Sequence, residues 1–265
     1  MADFALGWQP DLPDHRDLVY SAPLPKLRKL PSSIDLRRKC PPVYDQANLG
    51  SCTANAIAGA VQFDRRKAVE KPDFVPARLF IYFNERDMEH SVAFDAGARL
   101  RDGVKSVSKL GVPPETEWPY SDQGYPVNEG DPFALNAPAA RRPPKKVYAD
   151  AAKHRAVTYM SVNQSLPQLK GCLADGYPVV FGFTVYDNFF GADGQPEVHT
   201  PMPTGSVVGG HAVLAVGYDD AASHFIVRNS WGTKVLDKGY YYMPYAYVTE
   251  PTLATDFWTI RTIAT

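Results

Sequence analysis

Residues 46 to 56, Gln46-Ala47-Asn48-Leu49-Gly50-Ser51-Cys52-Thr53-Ala54-Asn55-Ala56, place a cysteine directly after a Gly-Ser turn and at the start of an alanine-rich run. The run predicts a helix, so Cys52 is expected in its first turn. Backbone N–H groups at a helix N-terminus favour negative charge, which lowers the pKa of a thiol there. Gln46 lies six positions upstream (52 − 46 = 6), near enough for its amide to share a reaction site with Cys52. The stretch therefore predicts a cysteine nucleophile.

The composition indicates a compact, loop-rich protein with nearly balanced charge. The chain has 265 residues, with 24 Pro and 15 Tyr, and 28 Lys and Arg against 29 Asp and Glu give a formal net charge of −1. This length suits one large domain or two interlocked lobes. The charge balance predicts neither a specific nucleic-acid partner nor attraction to an anionic membrane. No apolar stretch approaches the ~20 residues that a membrane span needs.

The cysteines and the N-terminus indicate the compartment. Three cysteines, Cys40, Cys52 and Cys172, are too few and odd in number for a disulfide framework. No two of them have zinc-ligand spacing, so neither a metal nor another cofactor is predicted. Residues 1–8 lack the basic and apolar segments that are typical of a secretory signal. We therefore expect a cytoplasmic protein, or one exported without an ordinary signal peptide.

The first part of the chain reads as an extended arm followed by helices. Residues 1–33 show neither a helical nor a clear strand period, and their repeated Pro favours extended backbone. Three helices are predicted after the arm: from Ser51 to Lys67, from Pro76, and from Ala98 to Leu110. Gly111 is the predicted stop of the third helix.

The second half reads as loops and then strands. Residues 112–150 are predicted to be loop-rich, and their basic run Arg141-Arg142-Pro143-Pro144-Lys145-Lys146 is interpreted as a solvated loop. A binding role or a nicking site is the alternative for that run. A short helix is predicted over Leu166–Asp175. The predicted strands are Val179–Tyr186, His211–Tyr218, Phe225–Asn229, Gly239–Met243 and Phe257–Arg261. Helices in one block and strands in another indicate an α+β protein.

Residues of the strand half can complete a nucleophilic site around Cys52. A cysteine nucleophile needs a base, a group that orients the base, and donors for the oxyanion. His211 opens a predicted strand after two glycines, and Asn229 ends the next strand, so a hairpin can bring them together. A neutral amide orients an imidazolium without adding a competing negative charge. Trp231 is placed to shield that hydrogen bond from water.

Each of these residues also has an ordinary structural interpretation. A single buried cysteine in a helix is usually inert, and Cys40 and Cys172 are interpreted in that way. Gln46 alone is compatible with a loop residue, and Asn229 alone with a turn. The remaining histidines are interpreted as structural: His15, His90, His154, His199 and His224. What singles out the proposed site is the joint order of its members along the chain.

Three segments, in this order along the chain, resemble those of papain-like cysteine proteases. Pro31-Ser32-Ser33-Ile34-Asp35-Leu36-Arg37, with Pro42-Val43-Tyr44-Asp45-Gln46 and Gly50-Ser51-Cys52, resembles the start of the mature enzyme. Gly210-His211-Ala212-Val213-Leu214-Ala215-Val216-Gly217-Tyr218 is similar to the histidine strand. Arg228-Asn229-Ser230-Trp231-Gly232-Thr233 is similar to the asparagine motif. Together they cover about residues 31–250 and imply a disulfide-poor member of bacterial type.

The resemblance implies a papain-like two-lobed fold. A helical lobe and an antiparallel β-barrel-like lobe are expected, with the active site in the cleft between them. The implied division is an N-terminal extension over residues 1–33, a mainly helical lobe over 34–120 and a mainly β lobe over 121–265.

The implied activity is that of a cysteine endopeptidase that acts on protein or peptide substrates through an acyl-enzyme. The resemblance makes Cys52 the nucleophile, His211 the acid and base, and Asn229 the orienter of His211. It makes Gln46 and the Cys52 backbone N–H the oxyanion donors. We expect a monomer. The alternatives are a non-catalytic peptide-binding homologue and an acyl or isopeptide transferase that uses the same acyl-enzyme.

The cleft wall is where the sequence departs from the family. Gly97 matches a position whose backbone pairs with the substrate, and Gly210 is the second predicted substrate-binding position. Ala98 follows Gly97 where a second Gly is common. Leu49 stands where the family usually has a disulfide cysteine, and Thr53 replaces the usual Trp after the nucleophile. Substrate preference is therefore expected to differ while the catalytic positions are kept.

The N-terminal extension is short for a family in which inactive precursors usually carry a long, folded pro-domain. About 30 residues precede the mature-like start, too few for a separate helical domain. An extended chain covers ~3.3 Å per residue, so it can reach across a cleft. We predict a short inhibitory pro-segment, and the alternative is a segment that only packs on the surface. The candidate anchors are Trp8, Leu12, His15, Val19 and Tyr20.

Overall fold

The computed structural model describes residues 4–23, 27, 29–69, 72–126, 128, 130–155 and 157–262. The helices of this part are α1 (Cys52–Lys67), α2 (Arg78–Met88), α3 (Leu100–Leu110), α4 (Lys145–Ala151), α5 (Leu166–Ala174) and α6 (Tyr245–Thr249). The strands are β1 (Trp8–Gln9), β2 (Val19–Tyr20), β3 (Ser33–Asp35), β4 (Ala98–Arg99), β5 (Val157–Val162), β6 (Val179–Tyr186), β7 (Val207–Asp219), β8 (His224–Arg228), β9 (Tyr240–Pro244) and β10 (Ala254–Thr262). Residues 1–3, 24–26 and 28 of the predicted extended arm lie outside the described residues.

The three predicted helices of the first half are present. The first begins at Cys52 and ends at Lys67, as the pattern predicts. The second begins two residues later than predicted, because Ala77 is still extended. The third begins at Leu100 rather than Ala98, because Ala98 and Arg99 pair with the N-terminal segment as strand β4. Gly111 ends it with a φ of 80°, the left-handed conformation that favours glycine.

The predicted strands are also present, with different ends. β6 has the predicted bounds. β7 begins at Val207, so His211 lies inside the strand instead of opening it. β8 ends at Arg228, so Asn229 is the residue directly after the strand. Strand β5 and the short strands β1 to β4 were not predicted. The short strands have only two or three residues each, which carry no recognisable period.

One mixed sheet forms the larger part of the fold. Its strand order is β2-β5-β10-β6-β7-β8-β9, and β3 pairs with β7 outside that path. Over the described strands the path stays open at both ends and does not close, so the expected barrel-like lobe is an open sheet. Helix α1 packs against β7 and β10. This packing carries the start of α1, with Cys52, onto the face of the strand that carries His211.

The N-terminal segment is built into the fold at two places. Trp8 is buried, and so is Tyr20, whose hydroxyl donates to Asp175 at 2.5 Å. The backbone N–H of Ala22 donates to the Gln168 side chain at 2.8 Å. Two of the five candidate anchors are therefore buried, and the other three, Leu12, His15 and Val19, are exposed.

The basic run of the predicted loop lies on the surface, and Arg142 within it contacts the body of the protein. Arg142 pairs with Asp87 at 2.5 Å, and its guanidinium lies 5.1 Å from the centre of the Phe83 ring. Lys145 and Lys146 begin helix α4. Five of the six residues of the run are exposed, which agrees with its interpretation as a solvated segment.

All three cysteines are free thiols, and all three are buried. In the described ranges, no helix has both the length and the apolar composition to cross a bilayer. Those ranges also hold no group of three or more His, Cys, Asp or Glu side chains placed to bind a metal ion.

Candidate active site

The turn before α1 is held from two sides, and this fixes the position of Cys52. The Gly50 backbone N–H donates to the Asp95 carboxylate at 2.9 Å, and the Tyr82 hydroxyl donates to the same carboxylate. The hydroxyls of Ser51 and Tyr120 are hydrogen-bonded at 2.7 Å. Cys52 is the first residue of the helix and is 0% exposed.

The β7–β8 hairpin brings His211 and Asn229 together, as the sequence predicts. His211 Nε2 and Asn229 Oδ1 are 2.7 Å apart. The Trp231 ring stacks on the imidazole, with ring centres 4.6 Å apart and planes 24° from parallel. All three side chains are buried, so the indole shields the hydrogen bond from water. This fixes the imidazole orientation and leaves Nδ1 for the reaction.

Gln46 is held by Ser230, a residue that the sequence pattern did not identify as part of the site. Its Oε1 accepts from the Ser230 hydroxyl at 2.6 Å, and its backbone N–H donates to the Ser230 carbonyl at 2.8 Å. Its Nε2 donates to the carbonyls of Leu49 at 2.9 Å and Ala5 at 3.0 Å. Ser230 thereby orients the amide so that its N–H groups face the cleft. The one sequence feature that could have identified Ser230 is its position between Asn229 and Trp231.

A second missed feature lies behind the nucleophile. The Thr53 hydroxyl donates to Glu85 Oε1 at 2.5 Å, which ties the first turn of α1 to α2. Glu85 is 0% exposed, and its Oε2 has no hydrogen-bond partner in the described part of the chain. Burial raises the pKa of Glu85 well above its ordinary value, which favours the neutral carboxyl group. The sequence marks Thr53 as a departure from the family, but nothing in the sequence identifies its partner.

The N-terminal segment occupies the two predicted substrate-binding positions. The Gly7 backbone N–H donates to the Gly210 carbonyl at 2.9 Å, and the Ala98 N–H donates to the Gly7 carbonyl at 2.8 Å. A Cβ at Gly97 would lie 1.9 Å from the Gly7 carbonyl oxygen, so the two backbones are in direct contact. On the other side, the Phe4 ring lies on Trp231 with centres 4.6 Å apart.

With this segment in place, the proposed reacting pair is uncharged. Burial raises the pKa of the Cys52 thiol to about 12, although backbone N–H groups including that of Ala212 oppose the rise. Burial lowers the pKa of His211 to about 4, although the hydrogen bond to Asn229 opposes the fall. His211 Nδ1 is buried and has no hydrogen-bond partner among the described residues. The structure therefore brings Cys52 and His211 to one site without joining them by a hydrogen bond.

Comparison with known proteins agrees with this geometry. The family model described as papain family cysteine protease matches residues 30–257. The chain is 45% identical to xylellain, a cysteine protease from Xylella fastidiosa, with a TM-score of 0.93 over 98% of this chain and 97% of xylellain. It is 39% identical over 229 residues to an uncharacterized peptidase C1-like protein of Acanthamoeba polyphaga mimivirus, which is 83% of this chain and 69% of that protein. Procathepsin B from Trypanosoma congolense shares the fold, with a TM-score of 0.67 at 16% identity over 97% of this chain and 85% of that chain. The chain belongs to the papain family of cysteine proteases.

Proposed function

We propose that the chain is a cysteine endopeptidase whose own N-terminal segment inhibits it. Cys52 attacks the peptide carbonyl, and His211, oriented by Asn229, first protonates the leaving amine and then activates water. Gln46 Nε2 and the Cys52 backbone N–H stabilise the oxyanion that forms in each step. Gly97 and Gly210 bind the substrate backbone.

One contact supports the oxyanion assignment above all others. The Ala5 carbonyl oxygen accepts a hydrogen bond from Gln46 Nε2 at 3.0 Å, and Trp231 Nε1 donates to the same oxygen at 3.4 Å. Gln46 therefore already binds a peptide carbonyl of the chain itself. An oxyanion attracts the same donor more strongly, because hydrogen bonds to charged acceptors are the stronger ones.

Two features support inhibition by the N-terminal segment. Residues 4–9 lie over the cleft, and Cys52, His211 and Gln46 are each 0% exposed beneath them. The same burial keeps both the thiol and the imidazole neutral at pH 7. The segment thus excludes substrate and also suppresses the thiolate, which is the reactive form of cysteine.

The nucleophile is tested by labelling the full chain with a thiol-directed epoxide. We expect Cys52→Ala to abolish both peptide hydrolysis and labelling. Cys40→Ala and Cys172→Ala are matched controls, since each removes another buried thiol, and both should retain the wild-type rates. Retained labelling in Cys52→Ala would show that another residue is the nucleophile.

Inhibition is tested with a change in the segment alone. A Cβ at Gly7 would lie 2.0 Å from the Gly50 carbonyl oxygen, so Gly7→Ala cannot keep the docked backbone. Overpacking of this kind costs about 1–3 kcal/mol, and we therefore expect kcat/KM to rise about 5- to 150-fold. Leu12→Ala is the control, because that side chain lies in the same segment but is 65% exposed. Equal kcat/KM in Gly7→Ala and wild type would contradict inhibition by the segment.

A further inference from the structure

Beyond the cleft, the N-terminal segment crosses a second surface, where β6 and β10 meet. The Trp8 indole lies flat on Gly182, where a Cβ would be 2.0 Å from Trp8 Cε2. Trp8 Nε1 donates to Asp256 Oδ2 at 3.1 Å. The Asp11 backbone N–H donates to the same oxygen at 2.8 Å. Asp256 is therefore the acceptor on the body that holds two successive parts of the segment.

Asp256 is aimed at the segment by an irregularity in its strand. The register of β10 against β6 shifts between Thr255 and Trp258, which is a β-bulge. Asp256 has a φ of 60°, in the left-handed region that is unfavourable for a residue with a side chain. An unfavourable backbone conformation that directs one carboxylate at one partner indicates a built site.

A second carboxylate, on the segment itself, faces this one. Asp11 Oδ1 accepts from the Arg101 backbone N–H at 3.0 Å, and Asp11 Oδ2 accepts from Trp258 Nε1 at 3.0 Å. The Arg101 guanidinium is engaged elsewhere, since it pairs with Asp17 at 2.6 Å. Every hydrogen bond that the described residues give to the Asp11 and Asp256 side chains thus comes from a neutral donor. Two like charges meet here with no cation bonded to either.

Other charged or titratable groups surround the pair on every side. They are Asp14, His15 and Asp17 from the segment, Arg101 and Lys105 from α3, and Tyr159 from β5. Burial and the charge of Asp256 raise the pKa of Asp11 to about 7, and burial raises that of Asp256. Asp14 behaves in the opposite way, because hydrogen bonds from Arg16 lower its pKa. The pKa values of these two facing carboxyl groups are therefore raised, whereas that of the neighbouring Asp14 is lowered.

We propose that Asp11 and Asp256 form a carboxyl latch. The latch holds the N-terminal segment on the body while the pair of carboxyl groups keeps a proton, and it releases the segment as the pH rises. The direction follows from linkage. Docking raises the affinity of the pair for a proton, so docking is strongest below the ordinary aspartate pKa and weakens up to about pH 7. One linked proton lowers the ratio of docked to released segment by at most about tenfold per pH unit. The latch rests on the proposed inhibition by the segment. Since release of the segment removes that inhibition, the protease is more active at neutral pH than at acid pH.

Docking is measured without catalysis in the full-length Cys52→Ala protein. Hydrogen exchange of the peptide covering residues 4–17, corrected for the intrinsic pH dependence of exchange, is followed from pH 5 to pH 8. We expect protection to fall as the pH rises. When Asp256→Asn is added to the Cys52→Ala protein, residues 4–17 should stay protected from exchange up to a pH about one unit or more higher than without it. The reason is that Asp256→Asn removes one charge of the pair. Its amide oxygen can still accept from Trp8 and Asp11.

Two further variants make the result decisive. Asp11→Asn changes the segment and not the sheet, so it should show the same upward shift even if Asp256→Asn fails to fold. Asp150→Asn is the control, since it removes a surface carboxylate that pairs with Lys153 on another face. Protection that is independent of pH, or an equal shift in Asp150→Asn, overturns the latch.

Hydrolysis then separates the latch from the inhibition on which it rests. The ratio of kcat/KM in Gly7→Ala to that in wild type cancels the pH dependence of the chemistry itself. We expect this ratio to be larger at pH 5 than at pH 8. A pH-dependent loss of protection with a ratio near one at both pH values would support the latch and reject the inhibition. A ratio above one that does not change with pH would support the inhibition and reject the latch.

Discussion

Glu85 is a buried acid that is hydrogen-bonded to Thr53, the residue after the proposed nucleophile Cys52. One of its oxygens accepts from the Thr53 hydroxyl, and the other has no hydrogen-bond partner among the described residues. An ionised Glu85 would be a buried charge next to a thiolate, and its charge would raise the pKa of Cys52. The raised pKa of Glu85 favours the neutral acid, which avoids this repulsion while its hydrogen bond to Thr53 holds the first turn of α1.

The buried acid predicts a stability that depends on pH. A raised carboxyl pKa in the folded state means that stability is fully present below the ordinary value of 4.5 and is lost as the pH rises above it. Glu85→Gln removes this ionisation. We expect wild type to lose more unfolding free energy than Glu85→Gln between pH 5 and pH 8, by up to about 1.4 kcal/mol per pH unit. Urea unfolding at several pH values measures the difference, and parallel pH profiles would contradict a neutral Glu85.

Some residues of this site were predicted from the sequence, and others were not. His211 and Asn229 were predicted to lie together because a hairpin brings them together, and Cys52 was joined to them by the order of the three motifs and their resemblance to papain-like proteases. Ser230 and Glu85 were not, because their hydrogen bonds to Gln46 and Thr53 join elements that are distant in sequence. Such contacts depend on the tertiary arrangement, which local periodicity does not encode.

The predicted elements fit the fold, and their ends differ where a tertiary contact decides them. The papain-like α+β fold and the identity of the chain as a cysteine protease are confirmed. The third helix starts late because Ala98 pairs with Gly7, a contact between residues about 90 positions apart. The end of the same helix was predicted correctly, because Gly111 is a local signal that needs no distant partner.

The stop of α3 predicts a measurable difference between two glycines. Gly111 and Gly130 both have positive φ values, 80° and 83°, which are unfavourable for alanine at either position. A Cβ at Gly111 would lie 1.9 Å from the Ala151 carbonyl oxygen, whereas nothing lies within 4 Å of a Cβ at Gly130. We expect Gly111→Ala to cost about 1–3 kcal/mol more than Gly130→Ala in urea unfolding. Equal costs would mean that the contact with Ala151 relaxes freely.

On the scale of the whole molecule, the proposed inhibition couples the position of one segment to the charge of the proposed reacting pair, Cys52 and His211. Helix α1 and strand β7 come from different parts of the chain, and residues 4–9 cover the place where they meet. Removing that cover admits water to Cys52 and His211 together. Because burial is the largest cause of both pKa shifts, hydration lowers the pKa of the thiol and raises that of the imidazole.

This coupling predicts how the segment controls alkylation of Cys52. At pH 7 a thiol with a pKa of about 12 is ionised in only about one molecule in 10⁵, so the docked form should react very slowly with iodoacetamide. Gly7→Ala should react faster at pH 7, and its rate should begin to rise at a lower pH, because the thiolate is then paired with an imidazolium. Mass spectrometry of the Cys52 peptide between pH 5 and pH 9 measures both rates. Cys40 is an internal control, since it is a buried free thiol that lies outside the predicted N-terminal extension and the proposed site. Identical pH profiles for wild type and Gly7→Ala would mean that the segment does not control the charge of the pair.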